Sequence, residues 1–186
     1  ALQRLVDRGL LTRRRGVGTI VSPRHVHRPM ELTSLMRDLV NAGHKVHTTI
    51  QHYEARPATA QEADTLKITE GTLVVHIERT RFADDEPIAV LTNLIPADIA
   101  PTMQELESTS LYDLMRERGV TLASARQIIG ARSATTKEAK LLSEHRGAAL
   151  LTSQRTTYDP SGRIVECGDH IYRASRYSFE ASLFAQ

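Results

Sequence analysis

Arg79 and Arg81 stand two residues apart in the run Val74-Val-His-Ile-Glu-Arg-Thr-Arg-Phe82. The run is rich in β-branched residues and is expected to form a strand, in which every second side chain faces the same way. Val75, Ile77, Arg79 and Arg81 then share one face, apolar at one end and doubly cationic at the other. At about 3.3 Å per residue the two side chains are rooted about 7 Å apart, near enough for both guanidinium forks to close on one anion. A solvated pair of arginines at a strand end is the plain alternative. A second copy of the segment favours a site.

Sliding the chain against itself by 76 residues superimposes Ser34-Leu35 on Ser110-Leu111, Gly43 on Gly119, Ala55-Arg56 on Ala131-Arg132 and Thr59 on Thr135. The same offset brings Glu62-Ala63 onto Glu138-Ala139, Leu66 onto Leu142, Gly71 onto Gly147, Arg79-Thr80 onto Arg155-Thr156 and Ile88 onto Ile164. Two copies are too few for a solenoid, which needs at least three. They are expected to form two pseudo-symmetric halves with a ligand cleft at their junction.

Each half reads as helix, strand, short helix, hairpin. Leu32 to Ala42 has helical apolar spacing and is closed by Gly43; Val46 to Tyr53 alternates as a strand. Thr59-Ala-Gln-Glu62 and Thr135-Thr-Lys-Glu138 are capping boxes that open short helices. Turns are expected at Asp84-Asp-Glu-Pro87 and Asp159-Pro-Ser-Gly162, each followed by a returning strand, Ile88 to Ile95 and Arg163 to Tyr172. The plan is α+β with an antiparallel sheet.

The 186 residues suffice for one domain of ordinary size and a short appendage. No apolar run approaches the ~18 residues needed to cross a bilayer, and no charged-then-apolar leader is visible. With a single cysteine, Cys167, the expected compartment is the reducing cytoplasm, and no membrane partner is expected. The net charge of +2 is unevenly spread: residues 1–28 hold seven arginines against Asp7 and carry +6, leaving −4 for the rest. A basic head on an acidic body suggests a head that meets a polyanion.

That head reads as a helix, Ala1 to Gly9, already under way at the first residue, and then two short strands around Gly16-Val17-Gly18 flanked by Arg13, Arg14 and Arg15, a β-wing. Residues 22 to 29, with Pro23 and Pro29 and no hydrophobic period, read as a linker. His25 and His27 lack further ligands at metal-binding spacing, so neither metal nor cofactor is expected.

The run Leu-x-x-Leu-Val-x-x-Gly-Leu-Leu followed by Arg-Arg-Gly-x-Gly-Thr-Ile-Val resembles the end of the winged helix-turn-helix domain of bacterial GntR-type transcription regulators. By that resemblance Ala1 lies within the recognition helix, residues 1–22 are the remnant of a DNA reader, 23–30 a linker and 31–186 an effector-binding domain. Arg13, Arg14, Arg15, Gly16 and Gly18 are its DNA-facing candidates. Residues 31–186 resemble the effector domain of the HutC-like branch, which has the chorismate lyase-like fold. The resemblance rests on Ile77-x-Arg79-x-Arg81, the Pro87 turn before Ile95-Pro96, Ser110-Leu-Tyr112, Tyr158-Asp159 before Gly162, Glu166, and Tyr172-Arg-x-x-Arg-Tyr177.

The resemblance implies a ligand-responsive regulator, a repressor, that binds operator DNA as a homodimer and releases it on sensing an anionic small metabolite. It assigns the anionic end of the effector to Arg79, Arg81, Ser110 and Tyr112, and the repeat adds Ser34. A helix N-terminus, a hydroxyl and two forked cations are a chemically sound anion set. Glu166, Tyr172 and Arg176 are implied at the other end. Sugar-phosphate sensors of the family carry an acid where Leu91 stands here, which points to a less hydroxylated effector. Two other classes compete: an enzyme of chorismate lyase-like fold, and a stand-alone binding module. Cys167-Gly-Asp-His170 is the one cluster that suggests catalysis, and its thiol and imidazole are expected on opposite sides of a strand.

Overall fold

The computed structural model describes residues 11–14, 18–21, 26–29, 32–181 and 183. The expected wing is present as an antiparallel hairpin of β1 (Leu11–Arg14) and β2 (Gly18–Val21). The helix expected before it, and Arg15 and Gly16 of the turn, lie outside the described residues.

The body is a six-stranded antiparallel sheet built from two three-stranded halves. The first half runs helix α1 (Leu35–Asn41), strand β4 (Val46–Pro57), helix α2 (Ala60–Leu66), strand β5 (Leu73–Ala83) and strand β6 (Glu86–Pro96). Helix α3 (Met103–Ser108) leads to the second: α4 (Leu111–Glu117), β7 (Ser124–Ser133), α5 (Thr136–Leu141), β8 (Ala149–Tyr158) and β9 (Ile164–Arg173). The sheet order β4-β5-β6-β9-β8-β7 places the two halves back to back across the β6–β9 pair.

The repeat is visible in detail. Ser34 and Ser110 both cap their helices, their hydroxyls accepting from the Arg37 and Asp113 amides. Thr59 with Glu62, and Thr135 with Glu138, form the expected capping boxes. Each of these glutamates also holds an arginine bidentately, Glu62 with Arg56 and Glu138 with Arg132, at 2.6–2.7 Å. A third capping box, Thr102 with Glu105, opens α3 outside the repeat.

The constant offset fails after the second hairpin. Asp84 and Asp85, both left-handed at φ 51 and 65, form a two-residue turn closed by the Ala83–Glu86 pair. In the second copy the Asp159 amide donates to the Arg163 carbonyl and encloses one residue more. Arg79 pairs with Leu91 and Arg155 with Gly168, so β6 maps onto β9 with an offset of 77.

Helices α1, α3 and α4 cover one face of the sheet and α2 and α5 the other. Val75, Ile77 and Ile95 pack with Leu106, Leu111 and Met115 beneath α3 and α4. Leu35 and Leu39 of α1 pack with Ala89, Leu91 and Tyr172. Part of the expected linker is ordered: β3 (Val26–Pro29) pairs in parallel with the terminal strand β10 (Tyr177–Glu180). The Val26 amide donates to the Arg176 carbonyl at 2.8 Å, and Tyr177 stacks on Tyr172 with ring centroids 4.3 Å apart. Two prolines and no apolar period hid this strand, because four residues pairing with a distant segment leave no periodic signal.

Candidate functional site

A cleft lies between the sheet and the first turns of α1 and α4, with about 390 Å³ of empty space, its open mouth included. It sits on the pseudo-two-fold axis, since most of its lining comes in equivalent pairs. Ser34 faces Ser110, Leu35 faces Leu111 and Met36 faces Tyr112 from the two helices; Arg79 matches Arg155 on β5 and β8. Asn93 and His170, equivalent on β6 and β9, meet at the floor, Nδ2 to Nε2 at 3.2 Å. At the helices the axis is marked by Arg37 and Asp113, also equivalents, ion-paired at 2.7 Å.

Arg79 and Arg81 are 3% and 2% exposed. Burial pulls Arg79 down to about 10, with the Glu166 charge opposing, and Arg81 down to about 9, with the Arg79 charge adding to the effect. Arg79 donates through Nη2 to the Asn93 carbonyl oxygen at 3.0 Å, and Arg81 donates to the Thr48 hydroxyl. Among the described residues Nε and Nη1 of Arg79 and Nε of Arg81 have no acceptor, and neither side chain makes an ion pair. Buried charges are ordinarily paired, because an isolated one costs several kcal/mol in lost hydration. Two adjacent guanidinium groups with free N–H donors in a cleft form a donor set whose geometry and charge suit an oxyanion.

Glu166, expected among the effector contacts, does not line the cleft. It is fully buried behind the floor, where Oε1 accepts from Asn93 Nδ2 at 2.6 Å and Oε2 accepts from Thr157 at 2.8 Å and Tyr112 at 3.2 Å. Burial raises its pKa; the donors from Thr157 and Asn93 and the charge of Arg155 oppose the rise. Burial and the Glu166 charge push the Tyr112 hydroxyl up to about 12, so it stays protonated and donates. Gly168 makes this approach possible: a Cβ there would lie 2.6 Å from both Glu166 Oε1 and His170 Nε2.

Arg176, also expected at the effector, is not among the residues that line the cleft; it reaches Glu86 Oε2 at 3.6 Å. Its neighbour Ser175 bonds instead to Glu144 at 2.6 Å. Ser34, Arg79, Arg81, Leu91, Ser110, Tyr112 and Tyr172 do line the cleft. Arg155, Asn93 and His170 were not anticipated. Arg155 was within reach of the sequence, since the repeat places it opposite Arg79; the other two needed the shifted register. Arg155 is held by Gln127, which accepts from its Nε at 2.7 Å and Nη2 at 2.5 Å.

Cys167 and Asp169 open onto the opposite face of the sheet from His170, as strand alternation requires. Burial, with the Glu166 charge second, pushes the Cys167 thiol up to about 11, which leaves almost no thiolate at neutral pH. Arg13 and Arg14 fall on β1 and Gly18 opens β2. Among the described residues no group of three or more acidic, histidine or cysteine side chains is placed to hold a metal.

The family model described as the UTRA domain matches residues 41–178. The chain belongs to the UTRA-domain family, in the HutC-like branch of the GntR regulators. Over 182 residues it is 32% identical to the HTH-type transcriptional repressor NagR of Bacillus subtilis, covering 96% of this chain and 75% of that one. The histidine utilization repressor of Klebsiella aerogenes is 27% identical, covering 97% and 75%. Among solved structures, PhnF from Mycobacterium smegmatis superimposes with a TM-score of 0.88 at 24% identity, over 100% of this chain and 83% of that one, a likeness of fold. NagR and the histidine utilization repressor are both named as repressors.

Proposed function

We propose that this UTRA domain is the sensing part of a ligand-responsive transcription repressor, and that its effector is a small anionic metabolite bound by Arg79 and Arg81. The observation that carries the reading is the pair of enclosed guanidinium groups, opening on a cleft, three of whose nitrogens, Nε and Nη1 of Arg79 and Nε of Arg81, have no acceptor among the described residues. Ser34, Ser110 and Tyr112 add hydroxyls around the same space. Operator DNA is the second partner, met by the winged-helix segment with Arg13, Arg14, Arg15, Gly16 and Gly18; the working unit is a cytoplasmic homodimer. Named relatives that repress transcription support the regulatory role.

The route from effector to DNA is short. Thr33, Ser34 and Met36 form part of the cleft wall, and β3 lies a few residues upstream, between them and the wing. A ligand that draws the start of α1 toward the sheet acts directly on the segment that sets the position of the DNA reader. By linkage, the effector then weakens operator affinity by the factor by which operator weakens effector binding.

A thermal-shift screen of phosphorylated and carboxylated metabolites tests the reading. At 100 times its dissociation constant a true effector adds about 2.7 kcal/mol of stability. The gain is expected in the native protein and not in Arg81→Ala; equal shifts in both would place the ligand elsewhere.

A further inference from the structure

The two sides of the cleft are alike in shape and opposite in charge. On β5 and β6 the pair next to Arg79 is Arg81 opposite Ala89; at the equivalent ladder position of β8 and β9 stand Thr157 opposite Glu166. The first side therefore carries two cations, Arg79 and Arg81, and no anion. The second carries one cation, Arg155, and one anion, Glu166. Three donors converge on the Glu166 carboxylate, from Asn93, Thr157 and Tyr112, an arrangement that suits its ionised form.

The equivalence of Arg79 with Arg155 and of Ser34 with Ser110 would by itself suit a ligand with an anionic group at each end. Accepting the anion-sensing reading above, we propose that Glu166 is the specificity residue that restricts the cleft to ligands with one anionic end. Its charge acts on Arg79 as well as on Arg155, but only the first side has a second cation, Arg81, to offset it, so it opposes a second negative group on the other side of the axis. It acts without touching the ligand, through charge and through the orientation of Tyr112 and Asn93, which do line the cleft. Like charges brought together in a site of low dielectric cost several kcal/mol, enough for at least tenfold discrimination.

Propane-1-sulfonate and propane-1,3-disulfonate test this directly, because they share a spacer, differ by one anionic end and keep fixed charges near neutral pH. Calorimetric titration of the native chain is expected to give at least about tenfold tighter binding of the monosulfonate. Glu166→Gln keeps the side chain's shape, and Glu166→Ala installs the residue found at the equivalent position of the first side. Either change is expected to shift the ratio about tenfold toward the disulfonate. General damage to the fold would weaken both probes together and leave the ratio alone. Equal binding of the two probes by the native chain, or a native ratio retained by a folded variant, would overturn the inference while leaving the anion pocket intact. Failure of both probes to bind the native chain would remove the anion pocket itself, and this inference with it.

Discussion

On the proposed reading, Arg81 works against the empty fold and for the filled one. It is 2% exposed beside a second buried cation, and among the described residues no acid pairs with it. Replacing it by methionine, of similar length and without charge, is expected to raise the melting temperature of the ligand-free protein while lowering anion affinity by one to two decades. The affinity loss follows from roughly 1.5–3 kcal/mol for a hydrogen bond to a charged group. Thermal melts and calorimetry on the same sample check both; a lower melting temperature with unchanged affinity would make Arg81 a structural residue. Leu91, 5% exposed on the cleft wall, bears on which anion fits. An isobutyl group accepts no hydrogen bond, and each donor left unpaired beside it costs about 1–3 kcal/mol. Hydroxyl-poor anions are therefore expected to displace a reporter ligand ahead of glucosamine 6-phosphate, and Leu91→Glu is expected to reverse that order.

At the level of elements, the features that depend on near neighbours were legible in the chain. The two capping boxes and two hairpin turns each need only a few consecutive residues and stand where the sequence put them, whereas the first helix, expected from Leu32, starts at Leu35 behind the Ser34 cap. The register between strands was legible only as far as the second turn, because one extra residue there changes every later partner without altering the alternation of either strand. Asn93 and His170 were lost at that step. The arginine-clamped glutamates at the starts of α2 and α5 give an acid-stability prediction. Hydrogen bonds from Arg56 and Arg132 hold Glu62 and Glu138 down at about 2, below the ordinary 4.5. Their contribution is complete above pH 4.5 and disappears as pH falls through about 2. Acid titration followed by circular dichroism is expected to show a shallower loss of stability below pH 4.5 in the Glu62→Gln, Glu138→Gln double variant than in the native chain. The β3–β10 pair makes a separate claim: Tyr177, 1% exposed and stacked on Tyr172, is expected to cost about 3–5 kcal/mol on truncation to alanine. A denaturant midpoint unmoved by that change would mean that the terminal strand contributes little.

For the whole molecule, the chain carries +6 on residues 1–28 and −4 on the rest, which on the proposed reading separates the DNA contact from the ligand contact in charge as well as in position along the chain. On the proposed reading, light scattering at tens of micromolar is expected to give twice the mass of one chain. On the same reading, effector is expected to release operator DNA from the native regulator and not from Arg81→Met; release from both would separate sensing from this cleft. The pseudo-two-fold axis has a consequence of another kind. In a true homodimer, one gene change alters both walls of a pocket on the symmetry axis, so the pocket remains as symmetric as the dimer. Here the two walls are encoded separately, and Met36 on one and Tyr112 on the other mutate independently. Carrying both copies in one polypeptide thus gives the cleft a freedom that a pocket on a homodimer axis lacks: its two walls can differ, as a molecule with two unlike ends requires.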